Sequence, residues 1–286
     1  MTQMLVVVLW PFGLGAILVA TALLARRSSD PAPAATARMN GHGGSDPLVG
    51  PRSARSSIIG LLLILAVGVG VVFALSVLLG VLATHAGPSI DKPIYSWTIH
   101  HRVGFWVWVM DRVTKVGNTW TTWGAAVAAA ICLAAFYRRS KWLPPVALGA
   151  AIVLDHYLVL ALRHTFKRPG PPDSVNGVFP SGGCDRIFVV YGLIAYLIWR
   201  ELSGNKRMAI WASGVVASLG FSEAYSRGYL TLHWFTDIVS GITYGVLLLV
   251  VFIATIRLVE GPARRPEAER PDRPQVLSGQ RVPTPQ

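Results

Sequence analysis

The sequence predicts an all-α, polytopic membrane helix bundle: a six-helix core preceded by one extra N-terminal transmembrane helix. Three observations carry this reading. Of 286 residues, 52% are hydrophobic and only 14% are charged, where a soluble domain carries about 25% charged residues. The mean hydropathy is +0.49. The apolar residues gather in seven runs near the roughly 20 residues that cross a bilayer, and in lipid such runs satisfy their backbone only as helices. An ordinary soluble enzyme, a disordered scaffold and a coiled coil are excluded.

The first run, Met4–Ala25, lacks a positive N-terminal region and is followed by Arg26 and Arg27. It therefore reads as a retained anchor rather than a signal peptide. Residues 26–56, rich in Pro, Ala, Gly and Ser, cannot bury a core and form a flexible linker. The core, residues 57–258, carries the remaining runs: Ser57–Thr84, Trp120–Tyr137, Trp142–Leu162, Ile187–Trp199, Met208–Tyr225 and Ile238–Ile256. The fourth of these is short, and extends backwards through Gly182–Arg186. Gly60, Gly68 and Gly70 in the first core run read as helix-packing positions. Residues 259–286 form a basic, Pro-rich tail. Between Ser89 and Thr119 four aromatics, Trp97, Phe105, Trp106 and Trp108, alternate with charged residues. Two readings stand for this stretch: an amphipathic segment at the membrane interface, or a loop with a few buried aromatics. Cys132 lies in an apolar run and Cys184 in a loop, so both are expected as free thiols.

Charge sets the orientation. The formal net charge is +12, a balance that could equally attract nucleic acid. With the amino terminus outside and seven helices, 17 Lys or Arg fall on the cytoplasmic face and 9 on the other, as the positive-inside rule requires. The charge is thus mostly a topology signal and an attraction to anionic lipid heads, with no part left for nucleic acid. A multi-pass protein of the cell membrane is expected, with its carboxyl terminus cytoplasmic.

Two basic stretches then meet on the outer face. One runs from Arg163 through Lys167 and Arg168 to Pro180, Ser181, Gly182 and Gly183; the other runs from Ser226 and Arg227 to His233 and Asp237. Facing each other, they make an anion site. The four-residue spacing of His233 and Asp237 places both on one helical face. A carboxylate there would hold one imidazole nitrogen and leave the other free as nucleophile or base. Arg227 adds a planar fork suited to phosphate oxygens. A turn at Pro180–Ser181 with its glycines would start a helix, whose free N–H groups suit an anion. Asp155 and His156 are costly in lipid and are expected to face the bundle interior, and Glu223 to pair with a basic residue. No His, Cys, Asp or Glu grouping has metal-ligand spacing, and no metal or cofactor is expected.

The pattern Ser226-Arg227-x5-His233-x3-Asp237, with Pro180-Ser181-Gly182 upstream, resembles the type 2 phosphatidic acid phosphatase superfamily. The resemblance covers residues 57–257, and Thr114-Lys115-Val116-Gly117 also fits it. It implies a six-helix phosphatase-like core and a lipid phosphate or polyprenyl diphosphate substrate. It further implies a phosphohistidine on His233 oriented by Asp237, with Arg163, Arg168, Ser181, the Gly182 amide and Arg227 holding the phosphoryl oxygens. Two segments depart from the pattern. Gly170 stands where a second Arg is common, and Gly183 stands where a His protonates the leaving group, a step worth typically 10²–10⁴-fold. Three readings stay open. Another acid substitutes, the candidates being His164, Asp173 and Asp185. Alternatively, the leaving group is a phosphate, with a conjugate pKa near 6, and needs little protonation. Or the site is a catalytically impaired one that binds a lipid phosphate or a partner protein.

Overall fold

The computed structural model describes residues 54–137, 140–172, 174, 179–202 and 205–260. Among these the protein is all helical. The helices are α1 (Ala54–His85), α2 (Gly87–His100), α3 (Gly104–Val113), α4 (Thr119–Phe136), α5 (Leu143–Phe166), α6 (Gly182–Leu202), α7 (Lys206–Tyr229) and α8 (Phe235–Glu260). The chain is a multi-pass membrane protein: α4, α5, α6, α8 and residues Leu62–His85 of α1 are long and apolar enough to cross a bilayer. The sixth long helix, α7, has 24 residues, roughly 36 Å at 1.5 Å per residue, but carries Ser218, Ser222, Glu223 and Ser226 and is less apolar. The expected segment 1–25, nearly all of the linker 26–56, and the tail beyond Glu260 lie outside the described residues.

The long helices overrun the apolar runs that predicted them. Apolar sequence ends where lipid ends, whereas helical hydrogen bonding continues until something stops it. Arg163 sits in the last turn of α5, which ends when Lys167 turns left-handed (φ 45°). Arg227 likewise lies in the last turn of α7, not in a loop, and Thr231 (φ 50°) turns the chain toward α8. Asn205 caps α7, accepting hydrogen bonds from the backbone N–H groups of Arg207 (2.7 Å) and Met208 (3.4 Å), a contribution worth about 1 kcal/mol.

The central helix is α6, 67% buried against 11% for α1 and α4. A π turn at Ile187–Tyr191 interrupts it, and Ile187, Phe188, Val189 and Val190 are wholly enclosed. Cys184, expected in a loop, occupies the first turn of α6 and is buried, whereas Cys132 faces outward; both thiols are free. Small residues let neighbours approach. A Cβ at Gly220 of α7 would strike the Phe188 ring. At Gly241 and Gly245 of α8 it would come within 2.5 and 2.6 Å of the Ser181 and Asp185 carbonyl oxygens. This four-residue glycine spacing, a recognised helix-contact pattern, presses the start of α6 onto α8. Among the described residues Gly60 and Gly70 of α1 meet no neighbour, whereas Gly68, the third expected packing glycine, meets Val251.

The stretch Ser89–Thr119 forms α2 and α3, with Trp97, Phe105, Trp106 and Trp108 facing outward. Its inner side docks on the α7–α8 turn. The Val103 N–H donates to the Tyr229 hydroxyl at 2.8 Å, and the Arg102 guanidinium donates to Thr231 Oγ1.

Candidate active site

One end of the bundle gathers the end of α5, the start of α6, the end of α7, the start of α8 and residues 114–118. His233 lies just before α8 rather than on it. The Leu232 N–H donates to the Arg227 carbonyl at 2.9 Å, which folds the turn back over α7 and brings His233 against Arg227. His233 is only 7% exposed. Its Nε2 lies 3.4 Å from Arg227 Nη1. A guanidinium only donates, so Nε2 is the acceptor nitrogen and Nδ1 carries the proton. Burial first, then Arg227, Arg163 and Arg186, hold the imidazole well below its ordinary pKa of 6.5: desolvation and three cations all disfavour a charged ring. The result is a neutral imidazole with its lone pair toward the guanidinium.

Arg227 is itself fixed. Its Nε meets Glu223 Oε1 at 2.5 Å and its Nη2 donates to Asn118 Oδ1 at 3.3 Å. Glu223 makes the basic pairing expected of it and also accepts from the Gly117 N–H at 3.2 Å. The 114–117 stretch thus acts as a brace: the Gly117 carbonyl accepts from Arg186 Nε, and the Val116 carbonyl from the Tyr191 hydroxyl, both at 3.2 Å.

Asp237 does not meet His233. One of its oxygens pairs with Arg168 Nη1 and the other accepts from the Trp234 N–H at 3.3 Å; among the described residues His233 Nδ1 has no hydrogen-bond partner. The four-residue spacing predicted a shared helical face, but α8 starts at Phe235, so His233 precedes the helix and the geometry does not apply. Arg168 is likewise turned away from an open phosphate-binding posture. Its Nη2 pairs with Asp91 of α2 at 2.5 Å, and its Nη1 also donates to Thr236 Oγ1 at 2.8 Å. Asp91 in turn accepts from the Thr236 N–H at 2.9 Å and hydroxyl at 2.7 Å, capping α8. Sequence reasoning missed Asp91, since no local pattern links a carboxylate in an aromatic-rich stretch to an arginine 77 residues away.

Arg163 and Arg186 converge on Gly182: a Cβ there would stand 3.0 Å from Arg163 Nη2 and 3.0 Å from Arg186 Nη1. Arg186 was not anticipated as a site residue. Its signal was the position three residues after Gly183, on the first turn of the same helix. At Gly183 a Cβ would collide with the Arg227 guanidinium. Ser181 is wholly buried, its hydroxyl directed to Cys184 Sγ at 3.4 Å. A cleft of about 100 Å³, lined by Thr119, His156, Val159, Leu160, Arg163 and Arg186, opens at the two arginines.

The candidate substitute acids disperse. His164 faces outward on α5, and Asp173 lies outside the described residues. Asp185 is wholly buried behind the arginines. Asp155 is buried beside it, as expected, but His156 points out of the bundle and packs edge-on to Trp123, ring centroids 5.7 Å apart. Among the described residues no three His, Cys, Asp or Glu side chains form a group able to hold a metal ion.

A family model of the PAP2 superfamily matches residues 144–259, the span that carries Arg163, Arg168, Ser181, Arg227 and His233. Over residues 144–259 the chain is similar to the PAP2 superfamily. Phosphatidylglycerophosphatase B of Bacillus subtilis (strain 168) is 27% identical over 180 residues, covering 60% of this chain and 86% of the relative. The crystal structure of a transmembrane PAP2 type phosphatidylglycerolphosphate phosphatase from Bacillus subtilis superposes with a TM-score of 0.58 at 25% identity, covering 68% of this chain and 98% of that one. The protein is a multi-pass membrane protein similar in fold and sequence to PAP2-type phosphatases.

Proposed function

We propose that this PAP2-type chain is a lipid phosphate or diphosphate phosphatase that acts at the non-cytoplasmic face through a phosphohistidine on His233. The observation that carries the reading is the neutral His233 imidazole whose Nε2 lone pair faces Arg227, within a cluster of guanidinium groups at one end of the bundle. A phosphoryl group held by Arg227 would meet that nitrogen. Nε2 attacks phosphorus, the N–P bond forms, and the P–O bond to the leaving group breaks with its electron pair on oxygen. Water then cleaves the N–P bond, releasing phosphate and restoring the imidazole. The guanidiniums stabilise charge on the transferring oxygens. In this reading Asp237 and Arg168 act as one unit that holds the α8 start beneath His233, and Ser181 and Gly182 line the cradle. The 17 basic residues on the opposite face, against 9 on this one, support the orientation.

A second reading, a site that binds lipid phosphate without turnover, draws on one observation: His233 Nδ1 lacks the carboxylate partner that would steady a developing imidazolium. Phosphate release from phosphatidate, phosphatidylglycerophosphate and a polyprenyl diphosphate, measured on the full chain in mixed micelles, separates the two. Turnover by wild type that falls at least about 10³-fold in His233→Ala supports the enzyme. Equal, background-level release by both, with retained lipid phosphate binding, supports the binder.

A further inference from the structure

We propose that Arg186 and Arg163 form a second anion subsite beside the Arg227–His233 centre, and that it receives the leaving phosphate of a lipid diphosphate. This rests on the phosphatase reading above.

The four arginines of this end fall into two classes. Arg168 is held by two carboxylates, Asp91 and Asp237, and Arg227 by Glu223. Among the described residues Arg163 and Arg186 make no ion pair. Among the same residues Arg163 Nε is buried with no hydrogen-bond partner, and Arg186 bonds through its Nε, to the Gly117 carbonyl. Their terminal nitrogens converge over Gly182, at the mouth of a cleft that neither His233 nor Arg227 lines. Two guanidiniums held close together with their forks unengaged repel each other, and an anion between them relieves that repulsion with bidentate hydrogen bonds.

Gly182 and Gly183 mark where the two groups meet the α6 start. One glycine presents the Arg163–Arg186 pair and the next presents Arg227. The two groups of guanidinium nitrogens are thus neighbours along the first turn of α6, as the two phosphates of a diphosphate are neighbours. A diphosphate can therefore place its terminal phosphoryl group at Arg227 and His233 and its inner phosphate at Arg163 and Arg186.

That arrangement fits a leaving group stabilised by charge rather than by a proton. When His233 Nε2 takes the terminal phosphoryl group, the bridging oxygen leaves with the electron pair as part of a lipid monophosphate. Two guanidiniums neutralise that anion, and no proton is needed because the leaving phosphate has a pKa near 6. An alkoxide leaving from a monoester gains much less from the same pair, because its far higher pKa demands a proton. The lipid portion then lies along Val159 and Leu160 in the cleft.

The test compares a lipid diphosphate with the monophosphate of the same lipid, using wild type, Arg186→Gln and Arg186→Lys at matched folding by thermal unfolding. A second arm measures binding of inorganic diphosphate and inorganic phosphate to the same proteins without turnover. The expected result is a wild-type kcat/KM at least 10-fold higher for the diphosphate. In Arg186→Gln that preference falls by about 30-fold while monophosphate turnover changes less than 3-fold, and Arg186→Lys recovers part of it. Inorganic diphosphate should bind wild type at least 10-fold tighter than phosphate and lose that margin in Arg186→Gln. Equal loss on both substrates, as expected if Arg186 only counters the buried Asp155 and Asp185, would overturn the subsite. So would equal binding of the two anions. Absence of turnover with a retained, Arg186-dependent diphosphate margin would sink the phosphatase reading and leave the subsite standing as an anion site.

Discussion

The Arg227 guanidinium occupies the volume that any side chain at position 183 would enter, so the missing Cβ of Gly183 is what lets Arg227 reach His233. A cation stands where the family pattern places a side chain able to donate a proton.

Enlarging position 183 should therefore harm the site. Gly183→Ala is expected to displace Arg227, lowering phosphate release at least about tenfold and stability by about 1–3 kcal/mol through overpacking. Gly183→His should not raise turnover of monoesters, because the imidazole has no room while Arg227 is in place. A gain in turnover for Gly183→His would show that Arg227 moves aside readily and that the two groups exchange roles.

The buried pair of Arg168 with Asp91 and Asp237 predicts a stability effect. Asp91→Ala leaves a guanidinium less than one-tenth exposed with one carboxylate instead of two and strips the cap from α8. A loss of about 3–5 kcal/mol is expected on breaking a buried pair from one side, seen as a marked fall in Tm in detergent. Wild-type Tm in this variant would mean that Asp91 carries none of the α8 start.

His233 predicts a pH dependence. Its folded pKa is lowered, so the unfolded chain takes up the proton first as pH falls from about 6.5. Two outcomes follow. The acid limb of kcat/KM should lie below pH 6.5, because the reactive imidazole stays neutral there. His233 should also make the folded state lose stability progressively between pH 6.5 and its own lower pKa, a slope absent from His233→Gln. An acid limb centred above 6.5 would contradict the burial and the three cations around the ring.

Orientation can be read chemically. Cys184 is buried and Cys132 faces outward from the apolar α4, so neither native thiol reports the loop ends. In a Cys132→Ser background, Lys167→Cys places a thiol on the exposed turn after α5. An impermeant maleimide applied to intact cells should label it; labelling only after permeabilisation would place the site on the cytoplasmic side.

What the sequence by itself determined is local. Helices follow from unbroken apolar runs, since lipid leaves the backbone no other partner, and six of those runs became the six long helices. The residue types at the site, His233 with Arg227, Arg163 and the Pro180–Gly183 turn, also stand in short recognisable spacings. Glycines four apart in α8, Gly241 and Gly245, were legible too, though their contact with the α6 start was not. The tertiary structure alone decided which charges meet. It gave Asp237 to Arg168 instead of His233, brought Asp91 across 77 residues, and set Arg186 beside Arg163. The reason is physical: helix formation depends on neighbours within a turn or two, whereas a buried charge takes whichever partner the packed bundle brings within reach.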